Sequence, residues 1–240
     1  MKGARLEVRT LFISTLEQHL NDLIQSIEDA GVEVLDVMAS PIAASFVTLT
    51  RAQKKAGCVL ANIGAETVSI AVFENNIPIS LQVFPIGSTD ITNDIALGLK
   101  IHLEDAEDIK HGALTGVSYE RKQLDDIIRA RLSDIFELIE AHLKKLGRSA
   151  LLPAGIVITG GGSGITSIED IARAMLALPS RIAVPNVGGT THGELDDPSW
   201  SVAYGLCVWG SSADQGESTG IQLAKKARSK VAAWLRQFLP

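Results

Sequence analysis

Residues 57–84 read GCVLANIGAETVSIAVFENNIPISLQVF, and three short apolar runs lie within them: GCVLAN, TVSIAVF and IPISLQVF. Runs of this length, rich in Val, Ile and Phe and bounded by Gly and Asn, predict strands. The last two are separated only by Glu74–Asn75–Asn76, a good hairpin turn. Working downstream, helices are expected at about Thr89–Leu99 and His102–Lys110. Glu120–Leu146 follows as a long amphipathic helix with Leu124, Ile127, Ile128, Leu132, Ile135, Phe136, Ile139 and Leu143 on one side. Gly155–Thr159 (GIVIT) predicts a buried strand that runs into Gly160–Gly161–Gly162, with a helix from near Ser167. Pro198, after Asp196–Asp197, marks another helix start, continued by Ser199–Trp209. Upstream, Ala4–Ser14 alternates like a strand, and Ser14 with Glu17 forms a capping-box pattern. A helix over Leu16–Ala30 is then stopped by Gly31, Val32–Ala39 predicts a second strand, and a short helix follows Pro41. Strands alternating with helices, without an internal repeat, place the chain in the α/β class.

The 240 residues are 46% hydrophobic and 21% charged, with a mean hydropathy of +0.20. That composition excludes disorder, collagen and a disulfide scaffold. Cys58 and Cys207 both sit in apolar runs, so a reducing compartment and two core thiols are expected. No signal-type apolar stretch opens the sequence and no window is long enough to span a bilayer. The net charge of −6 conceals an asymmetry: the last twenty residues carry five basic side chains and no acid, leaving −11 on the rest. An acidic body argues against nucleic acid as a partner.

Several chemistries lack their motifs: there is no G-x-x-x-x-G-K-[ST], G-x-G-x-x-G or G-x-S-x-G, and no metal-type spacing of Cys or His. His192, in THGELDD, reads as part of a solvated loop. Two junctions are more informative. GIVITGGG ends a buried strand in three glycines, which lets a ring or phosphate approach bare main chain, or simply makes a tight turn. ANIGAETVSIAVF joins a strand end, a glycine turn and a returning strand, which can wrap a phosphate in backbone donors or form a plain hairpin.

Taken in order, ASPIAASFVTL (39–49), the hairpin at 57–79, FPIGSTDITNDIALGL (84–99) and EDAEDIKHG (104–112) resemble the FtsA family of bacterial cell-division proteins. So do LDDIIRARLSDIFELIEAHLKKLG (124–147), AGIVITGGGSGI (154–165) and DDPSWSVAYGLCVWG (196–210). The resemblance implies a partial actin-like (ribonuclease H-like) ATPase-domain fold with a C-terminal amphipathic helix. Residues 1–56 would be the return half of the first lobe, and 57–210 the second lobe, with 103–146 as its small subdomain. A linker at 211–220 would lead to a membrane-targeting helix at 221–240. The nucleotide side chains it implies are Asn62, Gly64 and Thr67 on the phosphate side and Gly87 opposite. Gly160, Gly161 and Gly162 would lie at the adenosine, with Lys110 and Asp126 flanking the base. The family hairpin runs roughly D-I-G-G-G-T-x-D, whereas here Asn62 replaces the first aspartate and Glu66 a glycine. A carboxylate facing a triphosphate is unfavourable by about 4 kcal/mol at 4 Å and an effective dielectric of 20. The Glu that precedes the Pro-x-Ala-Ala hinge is Ser40. These departures imply an impaired nucleotide site, with ATP and Mg²⁺ bound weakly at most.

The tail can be read from its own residues. At about 100° per residue, Leu223, Ala227, Val231, Trp234, Leu235, Phe238 and Leu239 share one arc, and Lys225, Lys226, Lys230 and Arg236 share the other. Arg228 strays towards the apolar side. Basic on one face and apolar on the other, it predicts a helix lying on anionic lipid. The resemblance then implies a cytoplasmic protein, peripheral on the inner membrane face at the division site. It would tether the FtsZ polymer, whose C-terminal tail would meet Arg129 and Arg131, and it could self-associate. Alternatives are a type IV pilus scaffold similar to PilM, or an ATPase or kinase of the superfamily.

Overall fold

The computed structural model describes residues 7–8, 10–113, 116, 118–186 and 197–212. His192 and the tail at 221–240 lie outside the described residues.

The hairpin forms as its residues dictate. β1 (Cys58–Ile63) pairs antiparallel with β2 (Val68–Glu74), and β2 with β3 (Ile77–Phe84). Asn75 and Asn76 turn the second hairpin with φ of +53° and +67°, the left-handed pair that a tight two-residue turn requires. β3 is an edge strand, which is why it tolerates Pro78. β4 (Ile156–Thr159) pairs parallel with β1, and β5 (Ser180–Ile182) parallel with β4, giving the order β3-β2-β1-β4-β5.

Strand alternation sorts the core into two layers. Val59, Ala61, Ile63, Val68, Ile70, Val72, Ile156 and Ile158 face one way. Against them pack α4 (Ser88–Leu99), α5 (Leu103–Lys110), α6 (Arg121–Lys145) and α7 (Ile168–Leu176). The stretch 103–146 shares this core with the sheet, burying Ala106, Ile109, Phe136 and Ile139 in it. α6 buries Leu124, Ile128, Leu132, Ile135, Phe136, Ile139 and Leu143, each worth about 1.5–3 kcal/mol of apolar transfer. The opposite face (Cys58, Leu60, Ala71, Phe73, Val157) is covered by α2 (Ser40–Thr48) and by a helix over residues 201–212. At their crossing a Cβ on Gly205 would stand 1.9 Å from the Ala43 carbonyl oxygen.

The N-terminal third departs from expectation. Residues 10–16 and 32–39 are not strands: neither segment joins the five-stranded sheet, although residues 11–14 lie beside the open edge of β3 at Leu81–Val83. α1 (Glu17–Asp29) starts at Glu17 itself, so Leu16 is the N-cap and no side chain caps it; the Ser14–Glu17 box does not form. The helix does stop at Gly31, whose φ is +83°. A true capping box forms instead at α3 (Arg51–Ala56), between Thr50 and Gln53. Cys207 is exposed, unlike Cys58, because helical periodicity turns Ser201 and Gly205 inward. That same helix continues through Ser211 and Ser212, two residues into the expected linker.

Candidate functional site

The register of the sheet builds a polar row that no local motif reveals. Asn62 lies opposite Ser69 across β1 and β2, and opposite Thr159 across β1 and β4. All three sit on the α2 side of the sheet, at the carboxyl ends of β1 and β4, where α/β folds open their crevices. Ser69 shares a hydrogen bond of 3.3 Å with Ser40 at the start of α2. Thr159, fully buried, lies 2.6 Å from the Ser201 hydroxyl. Sequence reading does not single out Thr159 or Ser201; the available signal is a polar residue ending an otherwise apolar strand.

Around this row the structure gathers most of the expected nucleotide residues. In the β1–β2 turn, the Gly64 N–H donates to the Thr67 carbonyl at 2.9 Å. The turn is closed by the start of α4: Ser88 N–H donates to Gly64 O and Thr89 N–H to Ala65 O, both at 2.9 Å. Gly87 N–H is taken by the Asp90 carboxylate at 2.8 Å. The first donors of this helix, the groups that would otherwise meet an anion, therefore already have internal acceptors. Glu66 is exposed at the tip of the turn.

The glycine run is folded onto the same place. Gly160 has φ of +91°, and a Cβ there would stand 2.5 Å from Asn62 Oδ1 and from Ile63 O. At Gly162 it would stand 2.6 Å from the Ile63 side chain, whereas at Gly161 nothing comes closer than 3.9 Å. Gly160 and Gly162 thus serve close packing, and Gly161 is the open one.

A cavity of about 300 Å³ opens beside this cluster, between the end of α5, the first half of α6 and the turn before α7. Lys110, Tyr119, Asp125, Arg129 and Ser167 are among its lining residues. Its size is at the lower end for a small-molecule site. Asp125, not Asp126, faces it, because Leu124, Asp125, Ile128 and Arg129 share a helical face while Asp126 is exposed elsewhere. The Lys110 ammonium is buried and directed at α4: it donates to Thr92 Oγ1 at 2.8 Å, Glu107 at 2.7 Å and Ser88 O at 3.3 Å. Burial alone would raise Glu107, but Lys110, Thr92 and His111 together hold it below the usual carboxylate range.

The two arginines expected to meet a partner differ. Arg129 is exposed and lines the cavity. Arg131 grips Asp94 of α4 with two hydrogen bonds, 2.7 and 3.0 Å, and approaches Asp134. Asp94 holds the Arg131 guanidinium above its ordinary pKa, so this cation is engaged within the chain. Among the described residues no group of three or more His, Cys, Asp or Glu could hold a metal ion, and no helix is long and apolar enough to cross a membrane.

Solved structures share this architecture. A chain of the PilM–PilN type IV pilus biogenesis complex superposes with a TM-score of 0.66 at 20% identity, covering 80% of this chain and 57% of that one. MreB5 of Spiroplasma citri, bound to ADP, gives 0.69 at 16% identity over 86% and 69%. At these identities the likeness shows the fold, which is actin-like. In sequence, "Cell division protein FtsA" of Bacillus subtilis is 29% identical over 255 residues, covering 97% of this chain and 57% of that protein. The chain therefore spans less than two thirds of the relative that it matches. The family profile described as "Cell division protein FtsA" matches residues 59–205, from the first strand of the hairpin to the helix that closes the opposite face of the sheet. With that span covering more than half of its residues, the chain belongs to the FtsA family.

Proposed function

We propose that this chain works in cell division as a membrane adaptor, holding the FtsZ polymer against the inner face of the cytoplasmic membrane, and that its nucleotide site is impaired. The observation that favours an adaptor over an ATPase or kinase is the row Ser40–Ser69–Asn62–Thr159. Every side chain in it is neutral, and its hydroxyls find partners within the row or on Ser201. A magnesium–triphosphate group needs carboxylates for the ion and free main-chain donors for the phosphates. Asn62 stands where the family pattern puts a carboxylate, and the Gly64, Gly87, Ser88 and Thr89 N–H groups already have acceptors within the chain. Glu66 adds a negative charge at the turn, so the residues present fit that group poorly. The face of α6 around Arg129 is the proposed landing place for the acidic FtsZ tail.

The membrane contact rests on residues 221–240. Each basic side chain near an anionic surface contributes about 1 kcal/mol, and Trp234, Leu235, Phe238 and Leu239 add apolar transfer. Ordering the helix opposes this at about 1 kcal/mol per residue, leaving reversible binding for one copy and avid binding for a polymer. The purified chain is expected to sediment with anionic vesicles and far less with neutral ones or at high salt. Deleting residues 221–240, or Trp234→Glu, removes sedimentation. Equal sedimentation of the truncated chain would refute the anchor. The PilM-like reading has a fold likeness in its favour and nothing further.

A further inference from the structure

α1 is an anomaly: none of its residues is buried, and Leu16 and Leu23 on its apolar side are 66% and 59% exposed. Phe12 and Leu35, on the segments flanking it, are 88% and 86% exposed. A helix of thirteen residues is marginal in water without a partner, so this face calls for one. Its charge says which kind. Residues 10–39 carry Glu17, Asp22, Glu28, Asp29, Glu33 and Asp36 and no Lys or Arg. None of these six carboxylates forms an ion pair among the described residues. An apolar stripe rimmed by uncompensated acids is, chemically, a small anionic interface.

The same sequence holds the complementary surface. The sequence of residues 221–240 pairs an apolar helical face with a polar face carrying Lys225, Lys226, Lys230 and Arg236, with Arg228 towards the apolar side and no acid. The two segments also leave the molecule from one region. Residues 10–39 run directly into α2, and the helix at 201–212 that launches the tail crosses α2 at Ala43 and Gly205. The eight residues between that helix and the tail can extend about 28 Å.

We infer that residues 221–240 dock on the acidic, apolar surface of α1 and its flanks when no membrane is present, so that α1 competes with anionic lipid for the tail. This inference rests on the membrane reading of the tail but adds an internal site for it. Docking keeps the apolar stripe of the tail out of water and sets a threshold of lipid or polymer density for membrane attachment.

Zero-length carbodiimide coupling of carboxylates to amines, read by mass spectrometry on the full chain, tests it. Links from Lys225, Lys226 or Lys230 to Glu17, Asp22, Glu28 or Asp29 are expected in the monomer, and their loss on adding phosphatidylglycerol-containing vesicles. Neutralising the four acids (Glu17→Gln, Asp22→Asn, Glu28→Gln, Asp29→Asn), all on the surface, is expected to tighten vesicle binding about tenfold. Absence of these links in the monomer, links confined to dimers, or unchanged vesicle affinity would each overturn the proposal. A synthetic 221–240 peptide that fails to bind the vesicles would refute the membrane reading instead, and the monomer links would still decide the docking.

Discussion

Gly87 has no room for a side chain: a Cβ there would lie 2.0 Å from the Ala65 carbonyl oxygen, in the interface between the β1–β2 turn and α4. Gly87→Ala is expected to destabilise the fold by about 2 kcal/mol or more, because only backbone movement relieves the clash. Gly161→Ala, with nothing nearer than 3.9 Å, is expected to stay within about 0.5 kcal/mol. Urea unfolding of the two variants distinguishes a packing role for this glycine cluster from a ligand-binding one. Chemistry at the same place follows from Asn62, Ser69 and Ser40. The chain is expected to show no Mg²⁺-dependent ATP hydrolysis above a buffer blank, and calorimetry is expected to give weak ATP binding at most. A tight Mg·ATP complex would return the kinase reading to contention. Asn62, Gly64, Gly87 and the glycine run are legible as candidates because each stands in a local motif. Ser69 ends the same hairpin pattern, but that it and Thr159 flank Asn62 is not legible, because cross-strand register is a property of the assembled sheet. Asp125 and Asp126 differ by one residue, about 100° of helix, which decides which of them meets the cavity.

Among the elements, β1 to β3, α4 to α7 and β4 are legible because each carries its own periodicity and its own turn signals. β5, three residues long, exists only because β4 offers it a parallel edge. The reverse holds at residues 32–39, where alternation predicts a strand but the segment pairs with neither edge of the sheet. The contact between α6 and β3 carries a pH dependence. His142 Nε2 lies 2.8 Å from Ser80 Oγ, with the ring edge-on to Phe84. Burial, then the neighbouring Lys145, lowers its pKa below 6.5. The folded state therefore keeps His142 neutral while the unfolded chain takes up a proton first on acidification. Its contribution is full above about pH 6.5 and is lost as the pH falls below that value. Thermal unfolding from pH 8 down to pH 5 is expected to show this decline, and His142→Gln, which keeps a polar group near Ser80, is expected to flatten it.

For the whole molecule, the sequence divides charge between an acidic body and a basic tail. The body carries −11, so it is repelled by an anionic surface while the tail is drawn to it. On the proposed membrane reading, attachment of a single copy is expected to be weak and to become firm only when many tails act together. The fold class follows from element order, and the family from motifs spread over most of the chain. The proposed adaptor role requires the tail and the face of α6 to act in one complex. Recruitment tests that most directly: fluorescent FtsZ polymer is mixed with anionic vesicles and the chain, without nucleotide hydrolysable by the chain beyond the GTP that FtsZ needs. FtsZ is expected to sediment with vesicles only when the chain is present, and Trp234→Glu is expected to abolish this. FtsZ left in solution beside vesicles coated with the intact chain would contradict it.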